Sequence, residues 1–241
     1  MTTLVVGASG ATGRLLVERL LERGEHVRII VRSRESLPQE ITSHDNLSII
    51  QASVLDLTDE EMVRQVSGCT AVASCLGHNL SFKGMFWPPR RLVTDATRRL
   101  CNAVKANQPA DPVKFVLMNT TGNSNRNLDE EISTAQKCVI GLLRLLLPPH
   151  ADNEDAADFL RTQIGQNDDN IEWAVVRPDT LIDETETTEF SLHPSPIRSA
   201  LFDAGVTSRI NVACFMADLI GDNDIWNQWK GKMPVIYNQD E

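Results

Sequence analysis

The sequence predicts an open, doubly wound α/β fold built on a parallel sheet. Three observations predict it. Short apolar runs rich in Val and Ile alternate with helical patterns through the first half. A strand near the start leads through three glycines at three-residue spacing into a helix. No repeat, low-complexity tract or linker divides the 241 residues, a length that suits one domain with a substantial core.

The candidate strands are residues 3–6, 27–31, 47–51, 71–75 and 113–119. Such short apolar runs are expected of parallel strands buried on both faces. Between the first two, residues 14–23 place Leu16, Leu20 and Leu21 on one side of a helix that Gly24 can end. Thr58 with Glu61 makes a capping-box signature ahead of Met62, Val63 and Val66. Leu92, Val93, Ala96, Leu100 and Val104 form the apolar stripe of a further helix. The second half is less regular. An apolar helix over residues 134–147 stops at Pro148 and Pro149, and another follows over about residues 153–164. Residues 171–177 read as a sixth strand and 233–237 as a late one, with short helices expected at 195–202, 211–220 and 224–229.

Composition narrows the function classes. Hydrophobic residues make up 41% and charged residues 23% of the chain, the balance of a globular protein rather than a disordered one. Acidic residues outnumber basic ones 33 to 23, and a formal charge of −10 repels phosphate backbones, so nucleic acid is not expected as a partner. The five cysteines are odd in number and none is spaced as a metal ligand, which points to small core residues in a reducing compartment and to no metal site. The most apolar stretch, residues 138–147, contains Arg144 and is about half of the ~20 residues a membrane span needs. No basic leader precedes Leu4, so the cytoplasm is the expected location.

The central motif is Leu4-Val5-Val6-Gly7-Ala8-Ser9-Gly10-Ala11-Thr12-Gly13-Arg14. Gly7 permits a tight turn, Gly10 lets backbone approach a pyrophosphate, and Gly13 lets the helix pack closely on the strand. The first helical amides then point at the phosphates, and the helix dipole favours their charge. Ser9 and Thr12 can add hydroxyl donors. The alternative is a strand-to-helix turn that holds nothing, but the flanking elements and the continuing βαβ unit favour the Rossmann reading.

About 20 residues on, an NAD-selective site carries an acidic residue at the end of the second strand. Here that place holds Val31-Arg32-Ser33-Arg34, and no carboxylate occurs until Glu35. A guanidinium offers a planar fork suited to a 2′-phosphate, which favours NADP(H) unless the arginines are merely solvated. The ends of later strands would also touch the cofactor. Ser53 and Val54 could flank the adenine. Cys75, Leu76 and Gly77 would run under the ribose and nicotinamide, with Gly77 allowing close backbone approach.

Together with Val175-Val176-Arg177-Pro178, these segments resemble the atypical short-chain dehydrogenase/reductases, and within that group the NmrA-like and biliverdin-reductase-B-like NAD(P)H-binding proteins. The resemblance covers nearly the whole chain. It implies NADPH binding, with Arg177 and Pro178 closing one side of the nicotinamide region and Asn119 beside it. It leaves the reaction open, because the superfamily spans reductases, epimerases, isomerases and non-catalytic sensors. Three departures stand out. The wider superfamily uses a Tyr with a Lys four residues later, whereas the single tyrosine, Tyr237, is followed by no lysine. The helix before the sixth strand, where many members carry a Lys, reads Asp152-Asn153-Glu154-Asp155-Ala156-Ala157-Asp158. The Ser-Ser that often follows strand five is replaced by Asn119-Thr120-Thr121.

If hydride is transferred, a group must supply the proton and stabilise developing charge. His78, Thr120, Thr121 and Lys137 are placed for it, with His78 the natural acid near neutral pH and Thr121 a hydroxyl donor. His78 can equally be a loop histidine bonded to backbone, and Lys137 a surface residue. The loop over residues 80–89 carries Phe82, Phe86 and Trp87, and suits either the wall of an acceptor pocket or a packing contact with a helix or a second subunit. The four carboxylates of Asp152, Glu154, Asp155 and Asp158 read as a solvated helix start rather than a metal site. Two functions are expected. The first is an NADPH-dependent reductase of a small carbonyl, quinone or flavin-like acceptor, acting as a monomer or homodimer. The second is an NADP(H)-binding redox sensor or assembly factor with no turnover.

Overall fold

The computed structural model describes residues 1–78, 89–126, 128, 130, 148–199 and 203–239. Its framework is an eight-stranded sheet. In chain order the first half runs β1 (Thr2–Val6), α1 (Ala11–Glu22), β2 (His26–Val31), α2 (Gln39–Thr42), β3 (Leu47–Gln51), α3 (Asp59–Val66), β4 (Ala71–Ser74), α4 (Leu92–Asn107) and β5 (Val113–Met118). The second half adds α5 (Pro148–Phe159), β6 (Ile171–Pro178), β7 (Thr180–Ile182), β8 (Phe190–His193), β9 (Val206–Ser208), α6 (Arg209–Gly221), α7 (Asn223–Trp229) and β10 (Val235–Asn238). The sheet order is β3-β2-β1-β4-β5-β6-β10-β8, and only the β8 edge is antiparallel. The chain steps outward from β1 to β3, then returns to β4 on the other side of β1. That reversal opens a crevice above the carboxyl ends of β1 and β4, where a doubly wound sheet binds its ligand.

The strands are apolar on both faces because both faces are covered. Val5, Ile29, Ala73, Val116 and Ala174 share one core with Leu16 and Leu20 of α1 and Phe215 and Met216 of α6. Leu4, Val72, Phe115, Leu117 and Val175 face the other way, against Met62 of α3, Leu100 of α4 and Leu160 beyond α5. Adjacent residues of one strand thus feed opposite layers, as the period of two requires.

Local signals act where they were expected. Gly24, at φ +74°, ends α1, with its amide on the Leu21 carbonyl. At α3 the Thr58 hydroxyl accepts from the Glu61 amide and the Glu61 carboxylate from the Thr58 amide, closing the capping box. Other expectations are corrected. The helix expected over about residues 153–164 starts earlier, at Pro148, and its last turn, Leu160–Ile164, widens to π geometry before Gly165. The short helix expected from residue 195 is absent over 195–199, which run as bends. Pro196 disfavours helical geometry at Ser195. The three short strands β7, β8 and β9 fall in sequence that carried no strand signal. The expected helix over 134–147, with Lys137 and Cys138, lies outside the described residues, as does the aromatic loop apart from Pro89. Among the described residues, no helix is long and apolar enough to cross a membrane.

Candidate functional site

The glycine loop joins β1 to α1 over the crevice. Gly7 adopts φ +78°, and a Cβ there would meet the Cys75 carbonyl carbon at 2.5 Å. The position therefore needs glycine twice over, for its dihedral and for the chain leaving β4. Gly13 packs against the Gly7 carbonyl, which fills the place of any side chain. Gly10 is the N-cap of α1, and no side chain caps the helix there. Its amide bonds to the Gly7 carbonyl at 3.0 Å, and the first intrahelical bond is Arg14 amide to Gly10 carbonyl at 2.9 Å. The amides of Ala11, Thr12 and Gly13 precede that first bond and are the helix's orphan donors. Ser9, Gly10 and Ala11 are exposed, whereas Thr12 and Gly13 are buried. This donor set fits a diphosphate: backbone amides without an intrahelical partner, a glycine where a Cβ would intrude, and the positive end of a helix.

The end of β2 divides the predicted basic group. Arg32 is exposed, with no ion pair to any described residue. Arg34 bonds to the Thr42 carbonyl at 3.3 Å. The Ser33 hydroxyl donates to Glu35, whose carboxyl this bond holds below the usual carboxylate range. Arg32 is thus the guanidinium of this group without a partner among the described residues. Beyond β3, Ser53 is half-buried and Val54 buried. Their turn is pinned from α4 by Arg99, which donates to the carbonyls of Val54 at 3.2 Å, Leu55 at 2.7 Å and also Leu57. That anchor carried no sequence signal.

Beyond β4 the chain runs over Gly7. The Cys75 amide bonds to the Val6 carbonyl at 2.9 Å, and burial pushes its thiol up to about 12, so the sulfur stays protonated. Leu76 continues the crossing, with its nitrogen 2.8 Å from a Cβ built on Gly7. Gly77 is exposed and a Cβ there would meet nothing within 4 Å, so no protein backbone approaches it.

His78 follows, and the carboxylate cluster on α5 changes meaning here. Asp152 is 2% exposed and Glu154 9%, so the cluster is not a solvated helix start. Asp152 Oδ2 lies 2.8 Å from His78 Nε2, and Asp152 also accepts the Val93 and Thr94 amides of α4 at 2.8 and 2.9 Å. Burial alone would raise the Asp152 carboxyl. The bonds from His78, Thr94 and Val93 outweigh it and hold the carboxyl below its ordinary value. Glu154 pairs instead with Arg126. One residue on from Asp152, the Asn153 carbonyl accepts from Asn119 Nδ2 at 2.8 Å. Consecutive residues of α5 therefore hold the chain beyond β4 and the chain beyond β5.

Both polar atoms of the Asn119 side chain are engaged, because Oδ1 also accepts the Thr120 amide at 2.9 Å. Thr121 donates its amide to the Pro178 carbonyl at 3.0 Å, and Asp179 follows Pro178 and accepts the Gly205 amide at 3.1 Å. Burial raises the Asp179 carboxyl more than its hydrogen bonds lower it. Arg177 is wholly buried and donates to the carbonyls of Met233 (2.7 Å), Asn123 (2.9 Å) and Pro194 (3.1 Å) and to Glu130 (2.8 Å). Arg177 thereby shapes the rim without facing it, and Pro178, also buried, ends the strand. Tyr237 is 4% exposed on β10, next to Asp179, and its hydroxyl is raised by burial first and then by that carboxylate. Among the described residues, no group of acidic, His or Cys side chains is arranged to hold a metal.

Comparison with known proteins agrees with this geometry. The family described as NAD(P)H-binding matches residues 7–223. No curated protein matches the sequence. Among solved structures, a short-chain dehydrogenase/reductase from Veillonella parvula in complex with NADP is 16% identical over 98% of this chain and 94% of its own, with a TM-score of 0.71. The oxidoreductase ylbE from Lactococcus lactis is 18% identical over 100% and 92%, at 0.70. The anaerobilin reductase ChuY from Escherichia coli O157:H7 is 14% identical over 100% and 98%, also at 0.70. At such identities the likeness is one of fold. The glycine turn, the sheet order and a family match spanning most of the sequence lead to one conclusion: this chain belongs to the NAD(P)H-binding family.

Proposed function

We propose that the protein is an NADPH-dependent oxidoreductase that reduces a small carbonyl, quinone or flavin-like acceptor above the carboxyl ends of β4, β5 and β6. The observation that carries this reading is the uncapped first turn of α1, with Arg32 at the end of β2 having no partner among the described residues. The coenzyme, once bound, supplies a hydride. The amides of Ala11, Thr12 and Gly13 hold its diphosphate, Gly10 admits it, and the hydroxyls of Ser9 and Thr12 add donors. Arg32 takes the 2′-phosphate, with Ser33 and Arg34 shaping that turn. Ser53 and Val54 flank the adenine. Cys75, Leu76 and Gly77 run beneath the ribose and nicotinamide, and Asn119 and Pro178 bound the far side. His78 gives the proton and Thr121 helps to orient the acceptor. The names of the solved relatives, an oxidoreductase and a reductase among them, support a reduction.

A second reading is a redox sensor that binds the coenzyme and turns nothing over. It is favoured by the lack of a Tyr–Lys pair among the described residues. The two readings separate when NADPH oxidation is followed with a panel of carbonyls, quinones and flavins. Turnover that His78→Ala abolishes establishes the reductase. Saturable NADPH binding with no turnover on any acceptor establishes the sensor, and no binding of either coenzyme overturns both.

A further inference from the structure

We propose that Asp152 is a positioning residue that fixes which ring nitrogen of His78 faces the acceptor. The inference deepens the reductase reading and rests on His78 as its proton donor. The two side chains are 4% and 1% exposed and meet at 2.8 Å, Nε2 to Oδ2. Asp152 is itself held on three sides. Its oxygens accept the Val93 amide at 2.8 Å and the Thr94 amide at 2.9 Å, and its carbonyl accepts the Thr94 hydroxyl at 2.9 Å. The carboxylate thus sits on the amino end of α4, where orphan amides and the helix dipole favour negative charge.

An ionised carboxylate can only accept a hydrogen bond, so the proton shared with His78 resides on Nε2. That leaves Nδ1 as the ring nitrogen not engaged by Asp152, and the one assigned to the acceptor. In the reduction, hydride adds to the acceptor's carbonyl carbon and the π pair moves to oxygen. The oxygen takes the Nδ1 proton of the imidazolium, leaving a neutral ring whose remaining hydrogen is the one on Asp152. Water restores the proton. In the reverse direction Nδ1 is the base. The pair follows the general logic of an acid–base group oriented by a third residue.

A purely structural role would make Asp152 a helix cap and His78 packing. Asp152→Asn distinguishes the two. The amide oxygen still accepts from Thr94, so the cap is kept in part. The NH2 group now turns a donor toward Nε2, which must give up its hydrogen and pass it to Nδ1. We expect kcat to fall roughly 100-fold or more, with KM and NADPH affinity held within about threefold. We also expect ¹⁵N spectra of the His78 ring to move from an Nε2–H to an Nδ1–H pattern. An unchanged ring pattern overturns the proposal, whatever the activity. So does unchanged kcat in a chain where His78→Ala is inactive, and that result leaves the reductase reading standing. If His78→Ala keeps full turnover, the proton-donor role itself fails. Asp152→Ala removes the cap entirely, so melting temperatures of both variants measure the structural share.

Discussion

The Gly7 carbonyl stands where a side chain on Gly13 would have to go. Both groups are backbone, so neither can swing aside. Gly13→Ala must push α1 away from β1 and is expected to destabilise the fold by about 3 kcal/mol, lowering Tm by about 6–12 °C. Gly10→Ala is the contrasting case. Its Cβ lies 3.2 Å from the Gly7 carbonyl and otherwise faces open space, so the fold should survive while coenzyme affinity falls tenfold or more. Thermal melts and calorimetric titration of both variants check this.

Arg32 has no partner among the described residues, whereas Ser33 bonds to Glu35 and Arg34 to the Thr42 carbonyl. Arg32→Ala is expected to weaken NADPH binding by roughly 10- to 100-fold, about 1.4–2.7 kcal/mol. NADH binding should change less than about twofold. Equal losses for both coenzymes would place the 2′-phosphate elsewhere.

Arg177 and Glu130 form an ion pair with side chains 0% and 4% exposed. Removing one partner strands the other charge in the core, so Arg177→Met should destabilise by about 3–5 kcal/mol. Arg177→Lys should rescue little of it, because an ammonium cannot reach the three carbonyls and Glu130 that the fork now serves. Denaturant melts of the two variants give the answer.

Two buried carboxyls impose opposite pH dependences. The Asp152 carboxyl is held low in the fold, burial being outweighed by its bonds. Its stabilisation is present above the unfolded value of about 3.9 and is lost as pH falls through the folded one. Asp152→Asn should therefore flatten the acid limb of the stability curve. Glu25 is raised, by burial first, against the bond from the Thr3 hydroxyl and nearby positive charge. Its stabilisation is present below about 4.3 and is lost as pH rises through the folded value. Glu25→Gln keeps an oxygen for Thr3 and should be more stable than the parent at neutral pH but no different in strong acid. Melting curves across pH distinguish the two signs.

The sheet and the coenzyme turn were legible because their causes are local. Val and Ile runs fit strands buried on two faces, and Gly7 and Gly13 answer to steric demands within a few residues of themselves. Thr58 and Glu61 close a cap across one helical turn. Asp152 was not legible. In the sequence it belongs to a polar run that looks hydrated, and its partners lie 74 residues away at His78 and 59 away at Val93. Asp179 was hidden in the same way, since only the pairing of β7 with β9 brings Gly205 to it. Arg177 was visible as part of a motif, but its complete burial, and so its role in shaping the rim, depends on segments that meet only in the fold. Strands β7 and β9, at three residues each, are too short to show a period.

The neighbouring grips of α5 on His78 and on Asn119 have an evolutionary corollary. Because one turn of helix serves both strand ends, the chain beyond β4 and the chain beyond β5 share a single frame of reference. Displacing that turn would misplace both together. Selection should therefore keep α5 intact as a unit, with sequence change accumulating first in segments on which neither strand end depends.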